Sequence, residues 1–167
     1  MIGKDDLLEW LKGVSKRISR KIIVVAVGGT AMTLLGLKPS TRDVDFCVSS
    51  EDKEDFKKAL DKKFIVDIFV DGYIFSEQLP EDYLQKSKEL VNLGNIDLRV
   101  LDPVDILITK AARFNARDEE DIKSLARFVD KEELIQRFNE VIGTFAGNED
   151  DYRYHFKIIL KRFYDTT

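Results

Sequence analysis

An α/β architecture, a mixed sheet carrying helices and followed by a C-terminal helical extension, is what three features of this sequence predict. Short apolar runs near residues 22–27, 43–48 and 64–70 have strand length and strand composition. Between them stand stretches with helical spacing, beginning with Leu7, Leu11, Val14 and Ile18. From Asp102-Pro103 onward only helical periodicity remains.

Each element has its own local reason. Residues 5–19 read as an amphipathic helix, because the four apolar side chains fall on one face. Ile22 to Val27 form a strand that ends in Gly28-Gly29, after which Thr30–Leu35 has a short helix-like pattern. Asp43-Val44-Asp45-Phe46-Cys47-Val48 alternates as a half-buried strand does. Ser49-x-x-Asp52 has the look of a capping box for a helix near 51–62. Phe64 to Val70 is apolar except for Asp67, and Asp71-Gly72 is a turn signal that closes it. Residues 81–91 read as a short helix, and Ile96, Leu98 and Val100 as a further strand. Asp102 caps the next helix, with Pro103 in its first position. The expected organisation is one domain over 1–167, with an α/β core at 1–101 and a helical extension at 102–167 completing a cleft.

Composition narrows the function classes. A chain of 167 residues supports one full core. No apolar run approaches the length of a membrane span, and the acidic N-terminal stretch lacks the positive region of a signal peptide, so no membrane partner is expected. The single cysteine, Cys47, excludes an internal disulfide framework, which makes the cytoplasm the expected location. One histidine, His155, excludes a histidine-rich zinc site. A net charge of −4 argues against a general nucleic-acid-binding surface, while leaving room for a local basic strip.

The chemistry sits around the glycine pair. A strand ending in Gly28-Gly29 and turning into a helix start leaves backbone N–H groups exposed, and phosphate is their usual guest. Asp43 and Asp45, at i and i+2 of a strand, point the same way with Cα atoms roughly 7 Å apart. Paired carboxylates beside a phosphate cradle form a divalent-metal site for phosphoryl chemistry.

That order of motifs resembles the nucleotidyltransferase fold of the DNA polymerase β superfamily, and GGTAMTLLGLKPSTRDVDFCV is similar to the small AbiEii-like nucleotidyltransferases. Lys110-Ala-Ala-Arg113 and Arg117-Asp118-Glu119-Glu120-Asp121-Ile122 are similar to later motifs of that group. The resemblance covers roughly residues 22–127. It implies a magnesium- or manganese-dependent enzyme that uses an NTP as substrate. Its acceptor would be tRNA, another RNA, a protein or a small molecule, with an antitoxin partner for a toxin-like member. Gly-Gly stands where the family has Gly-Ser, so a hydroxyl contact to phosphate would fall to Thr30.

The resemblance also implies a third metal-site carboxylate on the neighbouring strand, and Asp67 matches that position. Without the upstream motifs Asp67 reads as a solvated edge-strand aspartate, and Asp71 is a rival better explained by its turn. Three converging carboxylates would repel by roughly 4 kcal/mol per close pair at an effective dielectric of 20, and a cation relieves that. Lys110, Arg113 and Arg117 fall on a basic stripe beside the apolar stripe Leu107, Ala111 and Phe114. The family motif has lysine at Lys110, which would neutralise phosphate charge, whereas a solvated helix flank is the plain alternative.

Asp118 and Asp121 serve either as helix-capping acids or, by resemblance, as active-site acids, with Asp121 taken as a nucleotide-binding residue. Arg42 either contacts phosphate or pairs with a nearby acid. His155, among Tyr152, Tyr154 and Phe156, reads as a packed helical residue. Two further readings accompany the enzyme: a catalytically silent nucleotide- or partner-binding module of the same fold, and an antitoxin-like minimal nucleotidyltransferase.

Overall fold

A computed structural model describes residues 1–165, which divide into two compact units. The first comprises residues 1–72 and 84–101, the second residues 73–83 and 102 onward. The fold is mixed α/β with a C-terminal helical segment, as the apolar runs and the helical tail predict.

In chain order the first unit holds β1 (Ile2–Gly3), α1 (Lys4–Ser15), β2 (Ile22–Ala26), α2 (Gly28–Leu34), β3 (Ser40–Thr41), β4 (Val44–Val48), α3 (Lys53–Ala59) and β5 (Val66–Val70). The second unit contributes the hairpin β6 (Tyr73–Ile74) and β7 (Glu77–Gln78). The single turn α4 (Tyr83–Lys86) leads back to the first unit, which is completed by β8 (Lys88–Asn92) and β9 (Ile96–Val100). The rest of the second unit is α5 (Pro103–Arg113), α6 (Ala116–Ala126), α7 (Lys131–Val141) and α8 (Glu149–Phe163), with a 3₁₀ turn at Ile142–Thr144.

Within the first unit five strands run in the order β5-β4-β2-β9-β8. The pairs β4–β5 and β2–β9 are parallel, while β2–β4 and β8–β9 are antiparallel. Alternation along β4 turns Phe46 to the face opposite Asp45. There Phe46 meets Trp10 of α1 at 6.4 Å and Phe56 of α3 at 5.9 Å between ring centroids. Leu7, Leu11 and Val14 of α1 are wholly buried, so the helical stripe read from the sequence is the core face.

Several boundaries differ from the sequence reading. The expected helix over 81–91 is one turn followed by strand β8. Gly94, at φ +90°, folds Leu93–Asn95 into a tight turn, and antiparallel pairing with β9 overrides the helix-forming character of Lys88-Glu89-Leu90. The helix expected to reach residue 62 stops at Ala59, where Leu60 turns extended and Asp61 accepts a hydrogen bond from Trp10 Nε1 at 3.0 Å. Of the capping box only one bond forms, from the Asp52 amide to Ser49 Oγ at 3.3 Å. Strand β5 begins at Val66, two residues late, because Phe64 instead packs on Trp10 at 5.0 Å.

In the second unit Asp102 caps α5 through Val104 N at 3.2 Å, with Pro103 at the helix start, as the sequence predicts. The core here is aromatic: Phe138 stacks on Phe156 at 4.0 Å and meets Tyr152 edge-on at 5.0 Å. Arg137, almost fully buried, forks onto Asp105 through Nε at 2.6 Å and Nη2 at 2.9 Å.

Candidate active site

The glycine pair does what its position demands. Val27 is the extended N-cap of α2, Gly28 sits at φ +56°, and a Cβ on Gly29 would stand 2.8 Å from Thr41 Oγ1. Neither position tolerates a side chain without strain or movement. The Val27 amide donates to the Asp45 carbonyl at 3.2 Å, which holds this turn beside the acidic strand.

Two hydroxyls fix the approach to that strand. Thr30 Oγ1 donates to the Asp43 carbonyl and accepts from the Asp45 amide, both at 3.0 Å, while Thr41 Oγ1 donates to the same Asp43 carbonyl at 2.9 Å. Thr30 is wholly buried, so its hydroxyl fastens α2 to β4 where the sequence suggested a phosphate contact. Its only proton goes to Asp43, and none is left for phosphate.

Asp45 and Asp67 are register partners on adjacent parallel strands, so their side chains share one face. Asp45 is 6% exposed, while Asp67 stands in the open. Asp43 lies one residue before β4, at a bend, and is also exposed. Neither Asp43 nor Asp67 has an ion-pair partner among the described residues. The described residues contain no group of three or more His, Cys, Asp or Glu side chains placed to hold a metal ion. The expected convergence of three carboxylates therefore reduces to a pair, because β4 starts after Asp43 and the bend takes that residue out of the strand's alternation. A hard oxygen pair still suits magnesium, which commonly takes one or two carboxylates and completes its shell with water and substrate phosphates. Arg42 is exposed and has no ion-pair partner among the described residues, so of its two sequence readings the pairing with an acid does not occur.

The other candidates lie in the second unit. Lys110 is 1% exposed, its Nζ 2.9 Å from Asp121 and 3.8 Å from Asp118. Burial pulls its pKa down, while the Asp121 hydrogen bond pulls it up again. The basic stripe read along one helix does not exist: α5 ends at Arg113, Asn115 starts α6, and Arg117 belongs to that second helix. Asn115, where the sequence favoured Asp118, is the N-cap, and Asp118 returns the bond from its N3 position to the Asn115 amide at 3.2 Å. Asp118 also holds Arg113.

His155 is half-buried against Phe114 at 5.7 Å, the packed residue its neighbours foretold. Cys47 is buried, and its sulfur accepts from Gly72 N at 3.4 Å. Asp71 serves its turn, with φ at +53° and Oδ1 accepting from Ser50 N at 3.0 Å. Three residues with defined roles escaped the sequence reading. Thr41 was visible two residues before Asp43, and a threonine beside a glycine pair is a signal for such a clamp. Phe75 lies in a two-residue hairpin loop with no glycine to announce it, and Glu77 opens the strand that follows.

No curated protein and no solved structure matches the chain. The sequence profile of one family, described as a nucleotidyltransferase of unknown function (DUF6036), matches residues 5–167. That span takes in the glycine turn, the acidic strand pair and the whole helical segment, and the chain belongs to this nucleotidyltransferase family.

Proposed function

We propose that this chain transfers a nucleoside monophosphate from an NTP to an acceptor hydroxyl, with Mg²⁺ or Mn²⁺ as cofactor and pyrophosphate as the leaving product. The observation that carries this reading is the in-register pair Asp45 and Asp67 beside the Gly28-Gly29 turn. A divalent ion bound there would supply charge neutralisation and a template for the triphosphate. Asp45 and Asp67 are its proposed ligands, with Asp43 at the rim, and Asp67 orients or deprotonates the acceptor hydroxyl. The triphosphate is assigned to the Gly28-Gly29 turn, and exposed Arg42 meets its charge. Lys110 and Asp121, which the family resemblance brings into such a site, form a buried ion pair within the second unit.

The AbiEii-like motifs support an RNA such as tRNA, or a protein, as the acceptor, with an antitoxin partner if the chain acts as a toxin. A silent nucleotide-binding module is the second reading, and the missing third carboxylate is what favours it. Transfer of label from each α-labelled NTP to cellular RNA or protein, with Mg²⁺ and with excess EDTA, separates the two. Label transfer by wild type that Asp45→Asn abolishes supports the enzyme. Tight nucleotide binding with no transfer to any acceptor supports the module.

A further inference from the structure

The β6–β7 hairpin breaks a local rule. Tyr73 pairs with Gln78 and Ile74 with Glu77, which leaves Phe75-Ser76 as a two-residue loop. Such loops need φ above zero at their first position, and glycine, asparagine or aspartate normally supplies it. Here Phe75 takes φ +55°, a conformation unfavourable for a bulky residue. Strain of this kind persists where the side chain has work to do.

The ring carries a cation. Arg113 Cζ lies 4.9 Å from the Phe75 ring centroid, over its face. The guanidinium is fixed in its own plane by Asp118, through Nε at 3.2 Å and Nη2 at 3.1 Å. Asp118 is itself buried and anchored to the Asn115 amide, so the fork cannot swing. Even so, the Arg113 side chain is 44% exposed. Nη1 keeps its protons without a partner among the described residues. The result is a flat, rigid, cationic plate backed by an aromatic ring and facing outward with spare donors.

We infer that Phe75 and Arg113 form a stacking platform for a nucleobase. A planar, electron-rich ring matches this plate in shape and charge, as arginine planes and aromatic rings do in nucleotide recognition. The inference deepens the nucleotidyltransferase reading and rests on it, since that reading supplies the ligand class: a nucleobase, carried by a free nucleotide or by an RNA.

The test uses the full chain with Mg²⁺ and titrates the four NTPs, inorganic tripolyphosphate and a short oligoribonucleotide. Phe75→Gly removes the ring and relieves the backbone, so its melting temperature should hold or rise. Arg113→Lys keeps the charge and loses the plane. Both should weaken binding of at least one NTP by about tenfold and leave tripolyphosphate binding unchanged. The same loss confined to the oligoribonucleotide assigns the platform to the acceptor's base. If both variants bind every NTP and the oligoribonucleotide as wild type does, the platform is overturned while the phosphate reading stands. Equal losses for tripolyphosphate also overturn it, since Arg113 would then be a phosphate contact. A wild type that binds no NTP and no oligoribonucleotide overturns it together with the function proposed above.

Discussion

Thr30 and Asp45 are joined by a hydrogen bond from the Asp45 amide to the Thr30 hydroxyl, at 3.0 Å in a fully buried setting. The same hydroxyl donates to Asp43, so one side chain satisfies the backbone on both sides of Val44. Thr30→Val keeps the shape and orphans that amide. It should cost about 1–3 kcal/mol in denaturant unfolding. Nucleotide binding should weaken further than global stability does, because Asp45 loses its placement; equal binding by folded Thr30→Val would show that the clamp does not position it.

Asp67→Asn tests the acidic pair. Like charges directly opposed across strands destabilise by roughly 0.2–1 kcal/mol. Removing one should raise the melting temperature in EDTA and abolish the extra stabilisation that Mg²⁺ gives wild type. A melting curve unchanged in both conditions places Asp67 outside any cation site.

Glu77 sets a pH dependence in the second unit. It is wholly buried, with Oε2 2.8 Å from the Tyr152 hydroxyl and Oε1 without a partner among the described residues. Burial pushes its carboxyl up to about 8 from an ordinary 4.5, the Tyr152 bond opposing and the charge of Asp105 adding. The groups around it are Tyr152 of α8 and Asp105 of α5, the latter neutralised by Arg137 of α7. The folded state thus holds a proton that the unfolded chain releases. Stability from this group is fully present below about 4.5 and is lost as pH rises to about 8, after which the contribution is flat. Glu77→Gln keeps a neutral donor for Tyr152. It should flatten the fall between pH 5 and 8 by about 1–3 kcal/mol, read from urea midpoints across that range. Parallel slopes for wild type and variant would count against a neutral Glu77.

Lys110 and Asp121 form a buried ion pair whose partners are costly to separate. Lys110→Met leaves the buried Asp121 carboxylate without its lysine and should destabilise by about 3–5 kcal/mol. Lys110→Met combined with Asp121→Leu should recover much of that loss. An additive double-variant cycle in denaturant would mean that the pair contributes nothing beyond its single residues.

The sequence was most legible where period and chemistry coincide. Val24, Phe46 and Leu98 announce the sheet, and Asp102-Pro103 announces the helical segment. The glycine turn and the acids on β4 and β5 were readable because each needs a specific residue type. Lys88-Glu89-Leu90 was not, since its strand state is set by pairing with β9, a tertiary effect. The destination of Lys110 was hidden for the same reason: spacing places it on a face but does not tell which carboxylates that face will meet. Phe75 was illegible because it contradicts the usual residue for its own turn.

The five-strand order in the first unit also dictates how the chain can be synthesised. Ile22 must wait for Ile96 before β2 has its parallel neighbour, and the polypeptide leaves this unit after Gly72 and returns only at Leu84. A nascent chain that ends near Gly72 presents β2 with an open, apolar edge, a template for pairing with other chains. Pairings so distant in sequence slow folding, which makes completion of β9 the step that commits the sheet. Expression of fragments cut between Gly72 and β9 should accordingly yield aggregates.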